Sequence, residues 1–309
     1  MNTPAVTALG PVARAGGRER SKLNISFEFS PPATPEAEET LWKAIRRLEP
    51  LNPTFMSVTY GAGGTTRDRT HRTVVRVLNE TAITPAPHLT CVNASRDEVD
   101  EVIRGYWDAG LRHIVALRGD PPGQIGGVYT PPADGYAHAT ALTAGIRAIA
   151  PFEVSVGVHP QIHRESGDLA REIDVLKAKV DAGATRALSD FFFDIDGFLR
   201  FVEAVRAAGV TIPIVPGIMP VSNFAGLVRM CKPMGVPVPD WLANHFEGLD
   251  DDPATRRLVA ASVAAEMCAR LEEEGFEDFH FYTLNRAELT VAICRVLGVR
   301  AQAQVAGDS

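Results

Sequence analysis

From Asn24 onward, short runs of β-branched and aromatic residues alternate with longer segments carrying the polar and apolar spacing of helices. That alternation is the signature of repeated strand–helix units and a parallel sheet. The predicted strands are Asn24–Phe29, Phe55–Val58, Ala86–Thr90, His113–Leu117, Glu153–Val158, Arg186–Ser189, Ile212–Pro216 and Phe279–Tyr282. Helical stretches fall at Glu36–Leu48, Thr70–Asn79, Asp97–Ala109, Asp168–Ala182, Gly197–Ala208, Thr255–Glu274 and Glu288–Leu297. Eight strands alternating with helical stretches favour a closed (βα)8 TIM barrel over an open Rossmann-like sheet. Barrels of this kind run to about 250 residues or more as one domain, so the 309 residues are expected to form a single one. Its bounds are predicted at residues 23–299, between flexible tails at 1–22 and 300–309. Arg14, Arg18 and Arg20 leave a transit peptide open for the first tail, whereas Gly10, Pro11, Gly16 and Gly17 favour simple fraying. The segments Pro121–Gly135 and Lys232–Asp252 read as active-site loops, and Asp250, Asp251 and Asp252 as helix-capping acids.

Composition narrows the function classes. The hydrophobic content of 45% and charged content of 22% supply an ordinary globular core. A formal net charge of −7 opposes binding to a phosphate backbone, so nucleic acid is not expected as a partner. Cys91, Cys231, Cys268 and Cys294 lie far apart with no ligand-spaced histidines, which argues for reduced thiols and against a zinc site or disulfide framework. No metal is expected. No run approaches the roughly 18 apolar residues of a membrane span, and residues 1–22 lack the apolar core of a secretory signal. The expected location is the cytoplasm, without membrane partners.

In such barrels the working residues sit at the C-terminal ends of strands. On the first strand, alternation puts Glu28 on one face with Ser26 and Ser30, opposite Phe27 and Phe29. Desolvation inside a barrel favours the neutral form of a carboxyl group, as a proton donor requires, although a structural Glu paired with an interior Arg fits equally. The turn Thr59-Tyr60-Gly61-Ala62-Gly63-Gly64-Thr65-Thr66 lacks the third glycine of a dinucleotide fingerprint, and suits close approach of backbone to a flat cofactor. His88 ends the third strand, and Arg118-Gly119-Asp120 the fourth, where the two charges could hold an anion and a cationic intermediate or simply pair with each other. His159 and His163 follow the fifth strand; a lone histidine is by default a satisfied hydrogen-bonding residue. Asp190 points to the mouth if alternation holds, and Phe191, Phe192 and Phe193 pack the rim.

Taken together, Phe27–Pro32, Val58–Gly64, Pro87–Cys91, Ala116–Asp120, Asp190–Asp194, Pro216–Pro220 and His280–Arg286 resemble the bacterial methylenetetrahydrofolate reductases, over a stretch from about Ser26 to Val299. The resemblance implies a flavin-binding barrel in which NADH or NADPH reduces bound FAD and leaves. Methylenetetrahydrofolate then occupies the same flavin face, in a ping-pong sequence. It implies that Glu28 is the general acid at N10 of the folate and that Asp120 binds the pterin and favours a 5-iminium cation. Flavin contacts implied by the resemblance fall on Thr59, Tyr60, Ala62, His88, Arg118, Gly119, Asp120, Tyr136, Ala137, His159, His163, Glu172 and Lys179. Asp190, Tyr282 and Arg286 are implied on the substrate side, and a homo-oligomer is expected. The chain departs from the family pattern where Asp190 and Gly226 stand in place of glutamines, His159 in place of a tyrosine and Met230 in place of an aromatic. Those departures keep open a folate- or flavin-binding paralogue with little turnover. A pterin-dependent methyltransferase and a proline dehydrogenase-like oxidoreductase are the other barrel enzymes weighed.

Overall fold

The computed structural model describes residues 23–61, 66–120, 130–161 and 167–301. The predicted tail 1–22, and all but two residues of the tail 300–309, lie outside them. The strands are β1 (Asn24–Phe29), β2 (Phe55–Val58), β3 (Pro85–Thr90), β4 (His113–Leu117), β5 (Glu153–Val158), β6 (Arg186–Phe191), β7 (Ile214–Ile218) and β8 (Asp278–Tyr282). The helices are α1 (Pro35–Leu48), α2 (Arg67–Glu80), α3 (Arg96–Asp108), α4 (Ala139–Ile149), α5 (Leu169–Asp181) and α6 (Ile195–Ala207), then α7 (Phe224–Met234), α8 (Asp240–Phe246), α9 (Pro253–Glu273) and α10 (Glu288–Val296). The strands pair in chain order and β1 closes on β8, in parallel register from Asn24 opposite Asp278 to Glu28 opposite Tyr282. The expected (βα)8 barrel is therefore the fold.

Three differences from expectation have local causes. β6 runs two residues further, to Phe191, and β7 begins and ends two residues later. α4 and α7 form where no helix is predicted, because each carries a helix-weakening residue: Gly145 in α4, Gly226 and Pro233 in α7. Their N-termini are fixed by His138 and Asn223, whose side chains accept the Ala141 and Gly226 amides at 3.2 and 2.9 Å. The segment Lys232–Asp252 is consequently not one loop: it holds the end of α7 and all of α8, with irregular chain at 235–239 and 247–252. Asp252 does cap α9, accepting the Thr255 amide at 3.0 Å. Among the described residues, no helix is long and apolar enough to cross a membrane.

Two apolar layers hold this arrangement. Outward-facing strand residues such as Ile25, Phe27, Phe279 and Phe281 pack against Leu41, Ile45 and Leu48 of α1 and the other helices. Each such side chain contributes about 1.5–3 kcal/mol on burial. Inside the barrel lies a second, small cluster of Phe55, Ala86, Val115, Leu188 and Val215. The three phenylalanines of Phe191–Phe193 are buried at the rim as expected, with Phe192 stacked on Phe198 of α6 at 4.2 Å.

The lumen around the small cluster is polar. Arg186 pairs with Glu153 at the N-terminal end and lies over the Phe55 ring. His113 bonds Ser155 through Nε2 at 2.8 Å and meets the Phe55 ring edge-on at 4.7 Å. Burial pushes the His113 imidazole from its ordinary 6.5 down to about 3, with Arg186, His280 and His88 acting in the same direction. The unfolded chain takes up this proton near pH 6.5 and the folded chain only near pH 3, so stability falls as pH drops through that window. His113→Gln should remove about one proton, or about 1.4 kcal/mol per pH unit, from that acid slope. Denaturant unfolding at a series of pH values measures it; a slope unchanged by the substitution would contradict a buried neutral imidazole.

Gly217 of β7 marks a second constraint. A Cβ there would stand 2.3 Å from the Ser189 carbonyl oxygen and 2.7 Å from Cε2 of Tyr282. Gly217→Ala should therefore cost about 1–3 kcal/mol by overpacking, read as a lowered thermal midpoint.

Candidate active site

The C-terminal ends of the strands bring Glu28, His88, Asp190 and Tyr282 to one mouth, with Thr59, Arg118–Asp120 and His159 just beyond β2, β4 and β5. Glu28 is the inward residue of β1, between Ser57 of β2 and Tyr282 of β8 in register. Its side chain is 18% exposed. Oε2 lies 3.4 Å from Nε2 of His88 and 3.7 Å from Nε2 of His280. Both imidazoles are buried, and neither Nε2 has a hydrogen-bond partner among the described residues. One carboxylate oxygen is thus faced by two orphaned ring nitrogens.

His280 is held from below. Its Nδ1 lies 2.8 Å from the Ser26 hydroxyl, which donates to the Phe279 carbonyl at 3.3 Å. The Ser26 hydroxyl thereby fixes the ring of His280, with Nε2 turned toward Glu28. Burial lowers the His88 pKa despite the attraction of Glu28, and His280 adds to the lowering, so His88 is neutral near pH 7.

The turn after β8 fixes the backbone of Glu28. The Thr283 hydroxyl donates to the Glu28 carbonyl at 2.6 Å, and Asn285 accepts the Ser30 amide at 2.8 Å while donating to its carbonyl at 2.9 Å. Leu284 and Asn285 pay for this clamp with left-handed backbone, at φ of 49° and 59°. Tyr282 donates to the Ser189 carbonyl at 2.9 Å and contacts His280 and Phe191 edge-on. Burial raises its hydroxyl well above the usual range, and the charges of Glu28 and Asp190 add to the effect, so it stays a phenol.

Across the mouth, His159 Nδ1 and Asp190 Oδ2 form a 2.6 Å hydrogen bond, each side chain about one-third exposed. Burial works against the imidazolium, but the charge and hydrogen bond of Asp190 outweigh it and raise the His159 pKa. Behind this pair, α5 contributes buried Glu172 and Lys179. Lys179 donates to the Gly157 carbonyl at 2.8 Å, and burial pushes its amine down to about 8. Gly119 adopts φ +84°, and a Cβ there would fall 2.7 Å from Val92 Cγ1 and 2.9 Å from Thr90 Cβ. The nearby Thr90 hydroxyl is buried without a partner among the described residues.

Other expected residues are placed differently. Tyr60 is buried in the core between strands and helices, so contact from it to a ligand in the lumen would come from backbone. Tyr136 is buried with its hydroxyl on Asp100 of α3 at 2.6 Å and its ring under Arg96. Ala137 and Arg286 are exposed, and Gly226 and Met230 lie on α7. Ala62 and His163 lie outside the described residues. Sequence reasoning did not single out His280 or assign Ser26 a role. The available signal was period-two alternation, which puts His280 on the face of Tyr282 and Ser26 on that of Glu28.

Comparison with known proteins gives a consistent result. Residues 15–298 match the family model described as methylenetetrahydrofolate reductase. The chain is 48% identical over 281 residues to the 5,10-methylenetetrahydrofolate reductase of Pectobacterium carotovorum subsp. carotovorum, covering 91% of this chain and 92% of the relative. It is 46% identical to that of Escherichia coli (strain K12), covering 91% and 93%. Among solved structures, a Clostridium thermocellum protein described as binding two copies of 5-methyl-5,6,7,8-tetrahydrofolic acid shares the fold. Its TM-score is 0.62 at 14% identity, covering 91% of this chain and 96% of that one.

The Ser26–His280 bond yields a direct test. Ser26→Ala should leave buried Nδ1 of His280 unsatisfied and cost about 1–3 kcal/mol, measured by chemical denaturation. Equal stability of variant and wild type would show that the bond does not fix the imidazole.

Proposed function

The chain belongs to the methylenetetrahydrofolate reductase family, and on that footing we propose that it reduces 5,10-methylenetetrahydrofolate to 5-methyltetrahydrofolate with FAD as cofactor and NADH or NADPH as donor, in a ping-pong sequence at one mouth. The observation that carries this reading is Glu28 in the polar lumen, faced by two buried imidazoles at the C-terminal end of the barrel.

The residues present fit a flavin. Gly119 allows the left-handed turn after β4, where a Cβ would collide with Val92 and Thr90, and the orphaned Thr90 hydroxyl and His88 Nε2 offer buried polar contacts. Arg118, Lys179 and Glu172, with Thr59 and the backbone at Tyr60 and Gly119, would hold it; when bound it supplies the hydride chemistry. Glu28 delivers a proton to N10 of the folate, opening the five-membered ring. His88 and His280 flank the carboxyl, and His88, neutral by burial, adds no competing positive charge. Asp120 favours the cationic 5-iminium form by charge. Asp190 and Tyr282 line the substrate side, and exposed Arg286 sits at its rim.

Removing a positioned general acid costs typically 10²–10⁴-fold. Glu28→Gln should therefore keep flavin and its bleaching by nicotinamide, yet lose folate-driven recovery by a factor in that range. Anaerobic stopped-flow at the flavin absorbance measures both halves. Recovery near the wild-type rate would remove Glu28 from the acid role. A wild-type flavoprotein that no nicotinamide bleaches would instead favour a binding paralogue.

A further inference from the structure

The His159–Asp190 pair is not explained by packing. Two side chains from adjacent strand ends, each about one-third exposed, form a 2.6 Å bond at the mouth that also holds Glu28. Tyr282 links the two regions: it is opposite Glu28 in register and bonded to the Ser189 carbonyl beside Asp190. The groups around the pair are Lys179 and Glu172 from α5, Tyr282 from β8 and, acting on Lys179, Arg118 after β4.

A carboxylate is an acceptor only, whereas an amide offers a donor and an acceptor. The lactam and amino edge of a pterin presents adjacent N–H donors, which two carboxylate oxygens match. A side chain rotating freely at an open mouth loses much of that complementarity to rotamer entropy. An imidazolium bonded through Nδ1 removes this freedom and also cancels the local negative charge.

We propose that His159 is a positioning residue for folate: its Nδ1 hydrogen bond fixes Asp190 as the acceptor for the pterin edge, and its positive charge offsets that of the carboxylate. This rests on the reductase reading of the site. Folate should bind modestly more weakly as pH rises, because the positive charge of His159 is lost while neutral imidazole can still donate from Nδ1. Lys179, with its amine near 8, contributes a separate inflection to the same profile. The signature of His159 is therefore the difference between wild type and variants.

The experiment titrates oxidised holoenzyme with 5-methyltetrahydrofolate from pH 6 to pH 9, roughly the range of imidazole and lowered-lysine titration, and reads the perturbation of the flavin spectrum. His159→Phe should weaken binding about tenfold at the acid end and keep only the lysine inflection. His159→Asn, which retains a donor without the charge, should recover most of the affinity but not the imidazole inflection. Asp190→Asn should move the His159 titration, followed by imidazole NMR, to lower pH. Bound flavin and an unchanged thermal midpoint show that each variant is folded. If His159→Phe binds within twofold of wild type across the range, or if His159→Asn recovers nothing, the proposal is wrong and the reductase reading stands. A wild-type holoenzyme that shows no folate-induced change at any pH would overturn both.

Discussion

A closed parallel barrel leaves no free sheet edge, so every side chain at alternate strand positions points into a lumen that must be filled or its polar groups satisfied. This chain fills only a small part of its lumen with apolar groups, the cluster around Phe55, and leaves the rest polar. Arg186 and Glu153 neutralise each other at one end, and His113 with Ser155 and His280 with Ser26 satisfy each other higher up. The ladder of mutual satisfaction ends at Glu28. There two imidazole nitrogens face a carboxylate without forming hydrogen bonds to it. Buried groups left in that state cost stability, and their position at the C-terminal end of the barrel is where such folds do chemistry.

The outer layer makes that polar column affordable. Large side chains on the opposite faces of the same strands, among them Phe27, Phe279 and Phe281, are fully buried against the helices. Strand geometry thus assigns stability to one face and function to the other. The same rule explains why Gly217 matters: it is the inward residue of β7 at the level where Tyr282 crosses the lumen, and any larger side chain would displace the ring.

Charge is arranged with equal economy at the mouth. Neutral His88 and the un-ionised Tyr282 surround Glu28, whereas charged groups gather on the far side, where His159, Asp190, Lys179 and Glu172 interact. An uncharged surround of Glu28 and a charge-paired cluster therefore share one opening.

The strand–helix alternation was legible in the sequence because its periodicities are local: four of the eight strands, β1, β2, β4 and β5, have the predicted bounds. The inward position of Glu28 followed from alternation alone. α4 and α7 were not legible, since Gly145, Gly226 and Pro233 weaken the local signal and tertiary packing overrides them. Nor were the partnerships of the site. Ser26 and His280 are 254 positions apart and His159 and Asp190 are 31 apart; only barrel closure and strand register bring them within hydrogen-bonding distance. The sequence by itself determined the strand–helix alternation, most of its elements and which face Glu28 occupies, because those depend on backbone geometry over a few residues. Tertiary structure decided which polar residues meet and what charge each carries, because both depend on long-range register and on burial.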